Sequence, residues 1–161
     1  MHPSLFSDVL SFVRSCGPNV RVGIVGSRDY PVPWLVGFLV RELPAGSMVV
    51  SGGNGVVDET AAEVADMCGL IFSEFPPHWS SFGRAAGPAR NKKLVHSGLC
   101  CLVVFLSSLA EPSAGSSSAI HYALQEGIPV FRFGPDEKYT TLPKLNSLCP
   151  LSHYNIVNSL F

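Results

Sequence analysis

Eight consecutive apolar residues, Leu99 to Leu106 (LCCLVVFL), lie between Gly98 and Ser107. With no polar position there is no face for water, so the run reads as a strand covered on both sides at the centre of a sheet. Other short runs share its β-branched character. Val20 to Val25 stops at Gly26-Ser27, Ser47 to Ser51 (SMVVS) precedes GGNG, and Leu70 to Phe75 and Ile128 to Phe133 complete five strands. Helical spacing fills the intervals. Pro33 opens a helix through Leu43 with Trp34, Leu35, Phe38 and Leu39 as its apolar face, and others run from about Val57 to Cys68, from Pro88, and from about Ser117 to Gln125. An amphipathic helix at residues 4–14, carrying Leu5, Phe6, Val9, Leu10 and Val13, ends before Gly17-Pro18 and should pack on the sheet. This alternation implies an α/β fold, a Rossmann-like doubly wound, mostly parallel sheet in a single domain over residues 1–161, with its core at about 20–133. The C-terminal extension, 134–161, is too apolar for a disordered tail and should pack on the domain or a neighbouring subunit.

In an open parallel sheet, ligands bind where the loops leave the carboxyl ends of the strands. Here these loops are rich in glycine and serine: GSRDY, SGGNGVVDE, PPHWSSFGRAAGPARN and the SAGSSS loop. Together they could offer many backbone N–H donors to a phosphate, with Arg28, Arg84 and Arg90 as charged clamps; taken singly, each is equally a turn. Positive charge concentrates in the third. No Asp or Glu occurs from Phe75 through Ala110, while Arg84, Arg90, Lys92 and Lys93 all fall inside, around a Pro88 placed where a helix begins. A helix N-terminus ordinarily attracts acidic side chains, so cations there suggest an external anion, or else a solvated basic face.

Neither GxGxxG nor a P-loop ending in GK[ST] is present. GGNG followed by Asp58 suits a phosphate turn whose carboxylate reaches a ribose hydroxyl. Trp79 could stack on a base or serve as a lid packed on the sheet.

Taken together, GSRDY, SGGNGVVDETAAEVA, FPPHW, GRAAGPARNKKLV and GSSSAIHYALQEGIPV resemble the SLOG superfamily of Rossmann-like nucleotide-binding domains, in its YspA-like branch, over roughly Val20 to Val130. The resemblance implies that Gly26, Ser27, Arg28, Ser51, Gly52, Gly53, Asn54, Gly55, Asp58, Trp79, Arg84, Gly87, Arg90, Asn91, Gly115, Ser116, Ser117 and Ser118 surround a nucleotide or nucleotide-derived ligand. The superfamily also contains the lonely-guy phosphoribohydrolases, whose PGGxGTxxE loop carries a catalytic glutamate. In PSAGSSSAIH, Ser116 stands for the threonine and Ala119 for that glutamate, so the carboxylate that would stabilise an oxocarbenium-like state is missing. Asp58 and Glu59 are the catalytic candidates that remain, though either can simply complement a helix dipole. The expectation is a sensor or sequestering protein for a nucleotide signal that requires no cofactor. A nucleotide N-glycosidase is the alternative. A single-stranded DNA binder, like the superfamily's DNA-processing protein A, is the second.

A net charge of −1 argues against nucleic acid as a partner. At 14% the charged fraction is well below the usual ~25%, which suggests a surface partly covered in a homo-oligomer, dimer or higher. His78, His96, His121 and His153 lack metal-ligand spacing, although His121 could face a ligand. Cys68, Cys100 and Cys101, among five cysteines without a CxxC pair, read as small core residues in a reducing compartment. With no signal-peptide pattern at the start and no apolar run near the ~18 residues that cross a bilayer, the expected setting is cytoplasmic, without membrane.

Overall fold

The computed structural model describes residues 5–53, 55–135 and 139–142. Its strands are β1 (Arg21–Gly26), β2 (Met48–Ser51), β3 (Ile71–Glu74), β4 (Cys101–Phe105), β5 (Val130–Phe133) and β6 (Tyr139–Leu142). They form one sheet in the order β3-β2-β1-β4-β5-β6. The first five strands are parallel, and β6 runs antiparallel to β5.

The apolar run becomes β4, between β1 and β5, and all five of its residues are buried. Its side chains alternate between two cores as the strand pleat requires. Cys101, Val103 and Phe105 join the cluster formed with α1 (Ser7–Ser15), α2 (Pro33–Glu42) and α3 (Val56–Met67). Leu102, Val104 and Leu106 face the other way, toward α5 (Ala86–Val95) and α6 (Ala114–Gln125). Between β3 and α5 lie a single-turn helix, α4 (Trp79–Phe82), and a 3-10 turn at Gly83–Ala85.

Several local expectations shift. Ser113 takes the N-cap of α6, its Oγ accepting the Ser116 N–H at 3.3 Å, so the helix starts at Ala114 and absorbs most of the serine-rich loop. Pro88 is the third residue of α5 rather than the first, still inside the turn whose N–H groups have no helical acceptor. Trp34 is 55% exposed, and the buried face of α2 is instead Leu35, Val36, Gly37, Leu39 and Val40. Cys68, at the C-cap of α3, is exposed rather than in the core, because the chain there is leaving the helix for the edge strand. β6 belongs to the C-terminal extension; residues 143–161 lie outside the described residues, as do Ser4 and Asn54. Among the described residues no helix is long and apolar enough to cross a membrane.

Candidate functional site

From β1 the chain turns to α2 on one face of the sheet, and from neighbouring β4 it continues to α6 on the other. A crevice therefore opens between the carboxyl ends of these two strands. A cleft of about 810 Å³ occupies it.

The first loop is pinned to the fourth. Ser27 N–H donates to the Phe105 carbonyl at 2.9 Å, and Ser27 Oγ accepts the Ser107 N–H at 3.0 Å. Gly26 is obligatory here, since a Cβ would collide with the Phe105 carbonyl oxygen and the Val57 side chain. Gly26, Ser27 and Arg28 all line the cleft.

Among the described residues of the second loop, Gly52 and Asp58 reach it. Ser51 is buried and donates its hydroxyl to Asp58 Oδ1 at 2.5 Å, so it orients the carboxylate rather than meeting a ligand. Gly53 and Gly55 supply the turn with φ of 71° and 106° and stay off the cleft wall. Glu59 is exposed and also off the wall, which leaves Asp58 as the acid of that pair inside the site.

The third loop contributes Trp79, Arg84, Gly87, Arg90 and Asn91. Arg90 is the junction. Its Nε donates to Asn91 Oδ1 at 2.7 Å, and its Nη1 donates to the carbonyls of Gly52 at 2.6 Å and Phe75 at 3.4 Å. Buried Asn91 then donates through Nδ2 to the Gly115 carbonyl at 3.0 Å and Ser118 Oγ at 2.7 Å. Three loops are thus joined through two adjacent side chains. Lys92 and Lys93 are exposed and off this cleft; Lys93 Nζ sits 5.8 Å from the centre of the Phe82 ring.

From the first turns of α6, Gly115, Ser116 and Ser118 line the cleft, whereas Ser117 and His121 do not. The helical rotation that begins at Ala114 carries these two off the wall. Ala119 does line it, which places a methyl group where the resemblance would put a catalytic glutamate.

Five polar residues on the wall are not among the expected site residues: Asp29 and Ser113, which lie within the GSRDY and SAGSSS segments, and Ser107, Ser108 and Glu111, which lie outside them. Asp29 follows Arg28 directly and accepts the Ser107 hydroxyl at 3.2 Å. Ser107 and Ser108 terminate the apolar run, a signal available from strand position alone. The hollow is therefore not uniformly positive, since Asp29, Asp58 and Glu111 share it with Arg28, Arg84 and Arg90.

No family model matches the chain, and no curated protein does. Among solved structures, the chain is similar to the translation initiation factor eIF-2B of Pyrococcus horikoshii OT3, at 12% identity and a TM-score of 0.50. The match covers 79% of this chain but only 44% of that one. At such identity the likeness speaks for the Rossmann-like α/β fold alone.

Burial lowers the Arg90 pKa; Asp58 opposes that shift and Arg28 adds to it. A guanidinium partly stripped of water beside a second one is relieved by an incoming negative group. Arg28 and Arg84 are exposed at the rim, and Trp79, 52% exposed, presents its ring there. Among the described residues no group of three His, Cys, Asp or Glu side chains could hold a metal ion.

Proposed function

We propose that the cleft binds a phosphorylated nucleotide or nucleotide-derived signal, which the chain senses or sequesters in the manner of the SLOG superfamily's YspA-like branch. The observation that carries this reading is the convergence of Arg28, Arg84 and Arg90 on one cleft at the switch point between β1 and β4. Guanidiniums bond phosphate oxygens bidentately, the first turn of α6 adds N–H groups, and the Trp79 ring offers a stacking face for a base. Asp29 and Asp58 can accept hydrogen bonds from ribose hydroxyls. Ala119 gives the cleft no carboxylate at the position of the glutamate in the lonely-guy enzymes, which supports binding without turnover. Calorimetry against mono-, di- and cyclic nucleotides and ADP-ribose derivatives tests the proposal. Micromolar binding is expected, and silence across the panel would remove it.

Glu111 on the cleft wall supports a second reading, hydrolysis of a nucleotide N-glycosidic bond. Chromatography after incubation with the same panel separates the two, because a binder returns its ligand intact.

The assembly we propose is a homo-oligomer. Ile71, on edge strand β3, and Met67, at the end of α3, are exposed apolar side chains at that side of the sheet, in a chain poor in charge. A monomeric mass by light scattering at micromolar concentration would contradict it.

A further inference from the structure

A second cavity, of about 240 Å³, opens at the carboxyl end of β3 beside the main cleft. α5 faces both cavities with neighbouring stripes of its surface. Gly87, Pro88 and Asn91 line the cleft, whereas Ala86, Ala89 and Lys93 line the smaller cavity at the i, i+3, i+7 spacing of one helix face. Arg90 borders both, fixed between them by its bonds to the Gly52 and Phe75 carbonyls.

The smaller cavity is more apolar in its walls. Phe75, Pro76 and Phe82 line it, and Phe82, 47% exposed on a single-turn helix, is a large ring that folding leaves uncovered. Two charges of opposite sign complete it. Lys93 stands over the Phe82 ring, and Glu74, the last residue of β3, adds a carboxylate. Among the described residues, neither of these charged groups has a hydrogen-bond or salt-bridge partner. Gly53 makes the room for Glu74, since a Cβ there would collide with Glu74 Oε1. A glycine of the second loop that stays off the cleft wall therefore serves this cavity instead.

We propose that the smaller cavity takes a guanine base, the second nucleoside of a dinucleotide whose phosphorylated half occupies the cleft across Arg90; this ligand class rests on the reading of the cleft as a nucleotide site. An ionised carboxylate only accepts hydrogen bonds. Guanine alone among the common bases sets an imino N–H and an amino group side by side, a matched pair of donors for the two oxygens of Glu74, with a carbonyl oxygen next to them for the Lys93 ammonium. Adenine and cytosine place a lone-pair nitrogen beside their amino group, which a carboxylate repels. Phe82 supplies an aromatic face against which any base can stack, so the charged pair sets the choice.

The test is amide NMR with calorimetry on the full chain, using adenosine 5′-monophosphate and the 5′-phosphorylated dinucleotides pApG, pApA and pApC. The mononucleotide should move the amides of Ser27, Gly52 and Gly115. With pApG the Phe82, Ala86 and Ala89 amides should move as well, and binding should tighten at least about tenfold, because a linked second group binds at high effective concentration. For pApA and pApC the gain should stay below about threefold, since each leaves polar groups of the cavity unpaired. Glu74→Gln should bring pApG down to the affinity of pApA, because an amide offers one acceptor where guanine needs two. If pApG and the mononucleotide bind alike and move only the cleft amides, the proposal is overturned while the cleft stands as a nucleotide site. Equal gains for all three dinucleotides would overturn the assignment of guanine. No shift at the cleft amides with any of the four probes would overturn both readings together.

Discussion

Arg90 reaches across 38 positions of sequence to Gly52, its Nη1 donating to that carbonyl at 2.6 Å. One side chain therefore shapes the second loop and supplies charge to the cleft. A Cβ on Gly52 would run into the same guanidinium, which explains why a glycine stands opposite it.

Arg90→Ala should remove both contributions. Losing hydrogen bonds from a charged donor costs roughly 1.5–3 kcal/mol of stability, and affinity for a phosphorylated ligand should fall by at least about tenfold. Arg90→Lys keeps the charge but not the fork, so its melting temperature should also drop. Thermal melts together with calorimetry separate the two effects.

Ser51 tests the support beneath Asp58. With the hydroxyl gone in Ser51→Ala, a carboxylate that is only 5% exposed loses a donor, at a cost of about 1–3 kcal/mol in a denaturant titration. A variant as stable as the parent would mean that Asp58 does not depend on this bond.

Gly26→Ala addresses the crossing point of β1 and β4. The added methyl meets the Phe105 backbone first and the buried Val57 side chain as well, and backbone cannot swing aside, so relief requires the strands to part. Overpacking of this kind costs roughly 1–3 kcal/mol, to be read from the midpoint of chemical unfolding.

Trp79→Ala should behave oppositely. Half exposed on a single-turn helix, Trp79 contributes little to folding, so stability should change by no more than about 0.5 kcal/mol. Loss of a stacking face should weaken nucleotide binding by about 1–3 kcal/mol. Calorimetry measures the loss, and unchanged affinity would reduce Trp79 to a lid residue.

The parts of this molecule that were legible in sequence are those governed by local pattern. β4 announces itself because every residue from Leu99 to Leu106 is apolar, and α1 because Leu5, Phe6, Val9, Leu10 and Val13 repeat at helical spacing. Gly26, Arg28, Arg84 and Arg90 sit together because strand ends share one edge of a parallel sheet, a topological consequence that needs no side-chain detail. What escaped depends on rotation and on partners distant in sequence. Whether Ser116 or Ser117 faces the cleft follows from the helix starting at Ala114, which a Ser113 side chain decides. Asp29 and Glu111 join the site through the approach of the first and fourth loops, seen in the Asp29–Ser107 contact across 78 positions. The burial of Ser51 beneath Asp58, and the exposure of Trp34 on a helix read as apolar there, are likewise settled by packing.

The most direct test of the central claim is the amide NMR spectrum of the protein titrated with the phosphorylated nucleoside that binds best. Shifts should concentrate at Ser27, Gly52, Gly87 and Gly115, which line one cleft from four different loops, and should fade when Arg84 is replaced by Ala. Saturable shifts confined to the exposed Lys92 and Lys93 face, or to the amino-terminal edge of the sheet around Cys100, would contradict the account.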